Sequence, residues 1–211
     1  MFLQFKYMHN ITFECKRWNE IPREVKISML KLRYNVFVKE LKWTAGLIIN
    51  DEMETDQYDN NNAIYIFSKT EEGEVNACCR LISTNFPYMI HEIYPQSVSK
   101  IELPKCSTIW EISRFCTSQE IRGKTKLKIM AMMIGSVIEF GLKNGIINYI
   151  SLSTDSILPV IRRYADWDPT PIGKLIDTPD DKSFAIILTV SEVMLQQACK
   201  KAGVDMTHKF L

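Results

Sequence analysis

Several common signatures of an active site are missing from this 211-residue sequence. Its six cysteines (Cys15, Cys78, Cys79, Cys106, Cys116 and Cys199) include no C-x-x-C pair, so neither a zinc ribbon nor a dithiol redox motif is spelled out. They are expected to stay reduced and to fill core space. The three histidines, His9, His91 and His208, form neither H-x-x-x-H nor H-E-x-x-H, and no metal site is expected. With 26 Lys+Arg against 25 Asp+Glu the net charge is +1, which gives no basic excess for a nucleic-acid partner. The most apolar stretch, residues 127–142, is interrupted by Lys128, Ser136 and Glu139 and falls short of the roughly 20 residues a membrane span needs. Residues 1–10 carry no long apolar core and no small-residue cleavage site, so they do not read as a signal peptide. A soluble cytoplasmic protein without a membrane partner is the expectation. There is also no G-x-S-x-G elbow, no G-x-x-x-x-G-K-[ST] loop and no G-x-G-x-x-G fingerprint, so three familiar routes to hydrolysis, nucleotide and dinucleotide binding are closed.

What is present is an apolar fraction of 46%, enough for a substantial core. No repeat or Pro/Gly-rich linker divides the chain, so residues 1–190 read as one domain and 191–211 as a C-terminal helical tail with a frayed end. Ile27, Leu30, Tyr34, Phe37 and Leu41 recur at helical steps and predict a helix over 24–42, with Pro22 just ahead of it. The β-rich runs 63–68 and 75–83, joined by a segment containing Gly73, predict a hairpin. Further elements are expected as a strand over 109–117, a helix over 126–143 closed by Asn144-Gly145, a strand over 149–153, a helix over 157–164 and a strand over 184–190. That alternation predicts an α/β three-layer sandwich with a central mixed sheet.

Three charged features stand out. Arg33 and Phe37 lie one helical turn apart and Trp43 follows; they read either as a core stripe with a solvated flank or as an aromatic and guanidinium cluster for a small zwitterion or cation. Asp51, Glu52, Glu54, Asp56 and Asp59 lack the glycine and terminal glutamate of a calcium loop. They form either a solvated loop or carboxylates turned inward against an arginine. In the run Trp110 to Phe115, Glu111 and Arg114 interrupt an apolar strand and must be paired or placed beside a wet cleft, as must Arg80 in the preceding hairpin. Strand alternation separates Glu111 and Ser113 from Arg114 unless a bulge intervenes.

Together these residues resemble the acyl-homoserine-lactone synthase family, the LuxI-type autoinducer synthases. The family's R-x-x-x-F-x-x-x-x-x-W appears as Arg33, Phe37 and Trp43, its E-x-D-x-x-D as Glu54, Asp56 and Asp59, and its E-x-S-R-F as Glu111, Ser113, Arg114 and Phe115. Between them stand Arg80-Leu81 and then Thr84, Pro87, Tyr88 and Met89, in the family's order.

The resemblance implies an N-acetyltransferase-like fold. It also implies transfer of an acyl group from acyl carrier protein, or coenzyme A, to the amine of S-adenosylmethionine, followed by lactone closure with release of methylthioadenosine. S-adenosylmethionine is then a substrate, and no cofactor is expected. In that reading Glu111 is the general base, acting directly or through one water, beside Ser113 and Arg114. Arg33, Phe37 and Trp43 hold S-adenosylmethionine, and Glu54, Asp56, Asp59 and Arg80 join Arg114 in an ion-pair network. Met130, Met133, Val137, Ser151, Leu152 and Ser153 line the acyl pocket, the two serines standing where 3-oxo-selective members carry a hydroxyl. Lys124, Lys126, Arg162, Arg163 and Lys174 offer a docking surface for an acidic carrier protein. The alternatives are a general N-acetyltransferase using acetyl-coenzyme A and a non-catalytic ligand-binding sensor.

Overall fold

The computed structural model describes residues 11–43, 46–154, 157–165, 167–179, 181–205 and 210–211; residues 1–10, with His9, and His208 lie outside the described set. In chain order the elements are β1 (Phe13–Arg17), α1 (Arg23–Arg33), β2 (Ile48–Asn50), β3 (Met53–Thr55), β4 (Ala63–Lys69), β5 (Val75–Ser83) and the single-turn α2 (Met89–Glu92). They continue with β6 (Ile109–Thr117), α3 (Gly123–Lys143), β7 (Asn148–Thr154), α4 (Ile157–Ala165), β8 (Thr170–Pro171), β9 (Ile176–Asp177), β10 (Lys182–Thr189) and α5 (Glu192–Ala202).

The main sheet has eight strands in the order β1-β4-β5-β6-β7-β10-β8, with β9 also pairing β10. All pairs are antiparallel except β6 with β7, which α3 connects as a crossover helix. Strand alternation sends Ile64, Ile66, Cys79 and Leu81 to one face, where they meet Ile129 to Phe140 of α3 and Ala198 of α5. It sends Tyr65, Phe67, Cys78 and Ile82 to the other, where Val25, Met29 and Leu32 of α1 cover them. The expected three-layer α/β sandwich is therefore present.

Hairpin β4-β5 turns through Gly73, whose φ of +86° is open to glycine at no steric cost. Helix α3 begins at Gly123, earlier than its apolar periodicity suggests, and closes as expected with Asn144 capping and Gly145 at φ +66°.

Two departures matter for the site. The helix expected over 24–42 is α-helical only to Arg33; Tyr34–Glu40 is a π-helical turn, with the Leu41 N–H donating to the Val36 carbonyl. Such widened turns disrupt the i→i+4 ladder and are used where a side chain must be re-aimed. The segment after residue 190 is not an appendage: Ala198, Cys199, Ala202 and Phe210 belong to the same core as the sheet. The Phe210 ring presses on Gly135 so closely that a Cβ there would lie 2.5 Å from a ring carbon. Glu139 accepts the Phe210 and Leu211 N–H groups.

Candidate active site

The π-helical turn leaves Arg33 at the end of α1 pointing into the protein, where it is fully buried. Its Nε donates to Glu54 at 2.6 Å, Nη1 and Nη2 donate to Asp59 at 2.8 and 3.0 Å, and Nη1 also reaches the Tyr65 hydroxyl. Arg80 on β5 donates from Nη1 and Nη2 to Asp56 and from Nη1 to Asp59, and its Nε donates to Ser113 Oγ at 3.1 Å. Arg114 on β6 closes the ring, with Nη2 at 3.0 Å from Glu54 and 2.6 Å from Asp56. Three guanidiniums thus neutralise three carboxylates out of water, a pairing that compensates the cost of burying each charge. Burial alone would raise Glu54, Asp56 and Asp59, but Arg33, Arg80 and Arg114 outweigh it and hold all three below the usual carboxylate range.

The acidic segment divides as its two readings did. Asp51 and Glu52 form the exposed positive-φ turn of the β2-β3 hairpin, and Glu52 accepts from Lys39. Glu54, Asp56 and Asp59 turn inward. Arg33, expected among the residues that hold S-adenosylmethionine, is corrected: its guanidinium is consumed by Glu54, Asp59 and Tyr65 and offers no surface to a ligand.

The bulge allowed for in β6 exists. The register against β5 slips between Cys78, opposite Cys116, and Arg80, opposite Ser113. Arg114 there has φ +53°, a left-handed conformation strained for a non-glycine residue. The slip puts Ile112 and Phe115 against the α3 side while Cys116 joins the α1 side. It also delivers the Arg114 guanidinium to Glu54, 5.6 Å from the Phe37 ring centre. Beside the bulge, β6 and β7 part: their parallel pairing covers only residues 109–111 and 148–150. Ile112 to Thr117 and Ser151 to Thr154, the stretches beyond that pairing, all line one cavity of about 530 Å³ that passes through the sheet.

On the α1 face that cavity is walled by Phe37, Trp43, Tyr58 and Met89. Phe37 and Trp43 stack at 5.1 Å and 15°, locked by the Trp43 N–H donating to the Phe37 carbonyl. Tyr58 donates its hydroxyl to Glu92, which ties the acidic segment to α2. On the α3 face the walls are Met130, Ile134, Val137, Trp167 and Leu188. Ser151, Leu152 and Ser153 line the cavity, although Leu152 packs with the α1-side core. Met133 is corrected: it is fully buried in the α3-side core and does not line the cavity, and Ile134 does. Ile134 was reachable from the 4-3 spacing of Met130, Ile134 and Val137; Trp167, alone in a loop, left no periodic signal.

Glu111 sits on the α1 face at the closed end of the strand gap. Its carboxylate is fully buried and accepts the N–H groups of Met89 at 3.1 Å and Ile90 at 2.8 Å, which anchors the start of α2. Burial pushes its pKa up to about 7, against the two N–H donors and Arg80, which favour the charged form. Met89, whose N–H the Glu111 carboxylate accepts, stands on the cavity wall. Ser113, two positions along the same face, does line the cavity.

Of the basic residues expected to meet a carrier, Lys126 is half-buried at the cavity wall, and Lys124, Arg162, Arg163 and Lys174 are exposed. Arg162 is engaged with Asp168 at 2.8 Å. No three His, Cys, Asp or Glu side chains gather as a metal set, and no helix is long and apolar enough to cross a membrane, among the described residues.

A family model described as autoinducer synthase matches residues 19–204. An acyl-homoserine-lactone synthase of Aliivibrio fischeri (strain ATCC 700601 / ES114) is 32% identical over 146 residues, 68% of this chain and 74% of that protein. One from Vibrio anguillarum is 30% identical over 157 residues, 72% of this chain and 79% of the relative. Among solved structures, a CoA-dependent acyl-homoserine lactone synthase, BjaI, with SAM and isopentyl-CoA superposes with a TM-score of 0.81 at 25% identity, covering 92% of this chain and 90% of that one. An acyl-CoA N-acyltransferase from Pseudomonas aeruginosa has a TM-score of 0.56 at 15% identity over 84% of this chain and 99% of its own, a likeness of fold alone.

Proposed function

This chain belongs to the autoinducer synthase family, and on that premise we propose how its own residues carry out acyl-homoserine-lactone synthesis. The enzyme transfers an acyl group to the amine of S-adenosylmethionine and closes the product to a lactone. The observation that carries the residue assignment is the continuous cavity through the β6-β7 gap, with an aromatic pair at one side of the sheet and an apolar slot at the other.

In this reading the adenosylmethionine cation lies against Phe37 and Trp43, whose faces attract a sulfonium. The acyl chain occupies the slot along α3. That arrangement sets the amine and the thioester carbonyl on either side of the bulge. The amine attacks the carbonyl carbon, an amide bond forms and the carrier thiol leaves. Backbone N–H groups of β6 beyond Glu111, which meet no β7 partner, stabilise the oxyanion. Glu111 takes the amine proton, directly or through one water; a pKa near 7 suits that exchange at neutral pH. The methionyl carboxylate then attacks its own γ-carbon and the C–S bond breaks, releasing methylthioadenosine. That step is intramolecular and needs orientation more than acid–base help. The arginine and carboxylate ring is the rigid floor that holds the bulge in its strained conformation.

The donor in this reading is an acyl carrier protein, received on Lys124, Lys126, Arg162, Arg163 and Lys174, with acyl-coenzyme A as the second donor the cavity admits. The test is to supply S-adenosylmethionine with acyl thioesters of both carriers and to measure methylthioadenosine and lactone by mass spectrometry. Both products are expected. Thiol release with another amine and no methylthioadenosine identifies a general N-acyltransferase instead.

A further inference from the structure

The α3 side of the cavity has a definite end. Lys126, Met130, Ile134 and Val137 are the α3 residues on its wall, spaced 4, 4 and 3, so they form one stripe along the helix. Solvent exposure falls along that stripe, from half-buried Lys126 through Met130 at 7% and Ile134 at 3% to Val137 at 0%, so the slot tapers shut. The next position on the stripe is Gly141, a natural notch through which the slot would continue. That notch is filled: a Cβ on Gly141 would lie 3.0 Å from both the Tyr149 hydroxyl and a Val190 methyl.

Tyr149 is held there. Its hydroxyl donates to the Val137 carbonyl at 2.9 Å, and Trp167 stands edge-on to its ring at 6.1 Å and 87°. Trp167 in turn donates its indole N–H to the Thr189 carbonyl at 2.8 Å, so it is fixed to the end of β10. Unlike Tyr149, Trp167 is itself a cavity wall residue, beside Leu188.

We infer that Trp167, backed by Tyr149 at the Gly141 notch, is the stop that limits acyl chain length, and that the chain accepted is of medium length. The inference rests on the acyl-transfer reading of this cavity. From Met130 to Val137 the helix advances about 10 Å at 1.5 Å per residue. An extended hydrocarbon advances about 1.3 Å per carbon, so the slot accommodates about eight carbons.

The test is the product profile of wild type, Trp167→Ala, Trp167→Phe and Ile134→Phe, each supplied with S-adenosylmethionine and acyl thioesters from about four to fourteen carbons. Wild type is expected to favour about eight carbons and to discriminate at least tenfold against twelve. Trp167→Ala moves the preference longer by about two to four carbons, Trp167→Phe keeps the wild-type profile, and Ile134→Phe moves it shorter. If Trp167→Ala does not fold, Ile134→Phe decides, because it narrows the slot from the α3 stripe. An active Trp167→Ala or Ile134→Phe variant whose optimum stays at the wild-type length overturns the stop, as does a wild type that prefers chains of twelve carbons or more; both leave the synthase reading standing. Wild type that releases no methylthioadenosine with any thioester removes the synthase reading, and this inference with it.

Discussion

The two faces of the sheet are built in opposite ways. On the α1 face charges are buried in fixed pairs, and on the α3 face the cavity wall is apolar and held by shape. A buried ion network is unforgiving, since losing one partner strands the others without solvent. An apolar slot is permissive, because neighbouring side chains exchange volume at modest cost. The family's reaction needs both, a rigid floor where bonds change and an adjustable sleeve for a tail of variable length. Within the charged face there is a second contrast. Glu54, Asp56 and Asp59 are held below the ordinary carboxylate range by arginines, while burial drives Glu111, on the same face, upward to about 7. Three acids are fixed as charges and one is left able to exchange a proton.

The sharpest way to break this contrast is to remove one member of the network. Arg80→Met is expected to cost about 3–5 kcal/mol, because Asp56 and Asp59 lose their shared guanidinium while remaining buried. Urea unfolding monitored by tryptophan fluorescence measures it, and a loss below about 1 kcal/mol would place the network on a par with exposed pairs. The same network should fail in acid. Its carboxylates have folded pKa values below their unfolded values, so their stabilisation is complete above about pH 4.5 and drains away as pH falls below about 4. Unfolding midpoints between pH 3 and 6 test this; a midpoint unchanged down to pH 3 contradicts it.

Next in size is Glu111→Gln, which keeps the shape and removes the proton acceptor. Acyl transfer is expected to fall about a hundredfold. Wild-type kcat/KM is expected to rise with pH through about 7, the value to which burial pushes Glu111, and the variant to lose that limb. Stability carries the opposite sign from the network. The folded pKa lies above the unfolded one, so ionising Glu111 costs the fold stability as pH rises from about 4.5 to 7. Glu111→Gln removes that decline. A variant that keeps both full turnover and the limb near pH 7 reduces Glu111 to an anchor for α2.

The two faces also differed in how far the sequence alone could describe them. Charges in apolar strands demand partners, so Arg80, Glu111 and Arg114 were recognisable as groups to be paired, whereas their grouping with Glu54, Asp56 and Asp59 came from the family resemblance; the bulge was the stated condition for Arg114 to join Ser113's face. Arg33 was misplaced because its partners lie 21 and 26 residues away, on segments whose path over α1 no local pattern encodes. The π-helical turn was hidden because its residues repeat with ordinary helical spacing. On the apolar face, periodicity located α3, but the phase of the stripe that faces the cavity depends on where β7 and Trp167 stand. Met133 and Ile134 are indistinguishable until those neighbours are known.

The smallest expected effect lies outside both faces, on the exposed basic residues. Lys124 and Arg163 stand in water, where single charges contribute little to stability but add to the attraction of an acidic partner. Lys124→Glu with Arg163→Glu should lower kcat/KM for an acyl carrier protein donor about three- to tenfold at low ionic strength and leave acyl-coenzyme A turnover within about twofold. Adding salt should erase the difference, since the attraction acts over roughly a Debye length, about 10 Å at 0.1 M. Equal losses with both donors would place these residues at a part the two donors share, the phosphopantetheine arm, and leave docking to other surfaces. The separation works because the charge reversals touch neither the network nor the slot, so any change in acyl length preference would show the two faces to be coupled through α3.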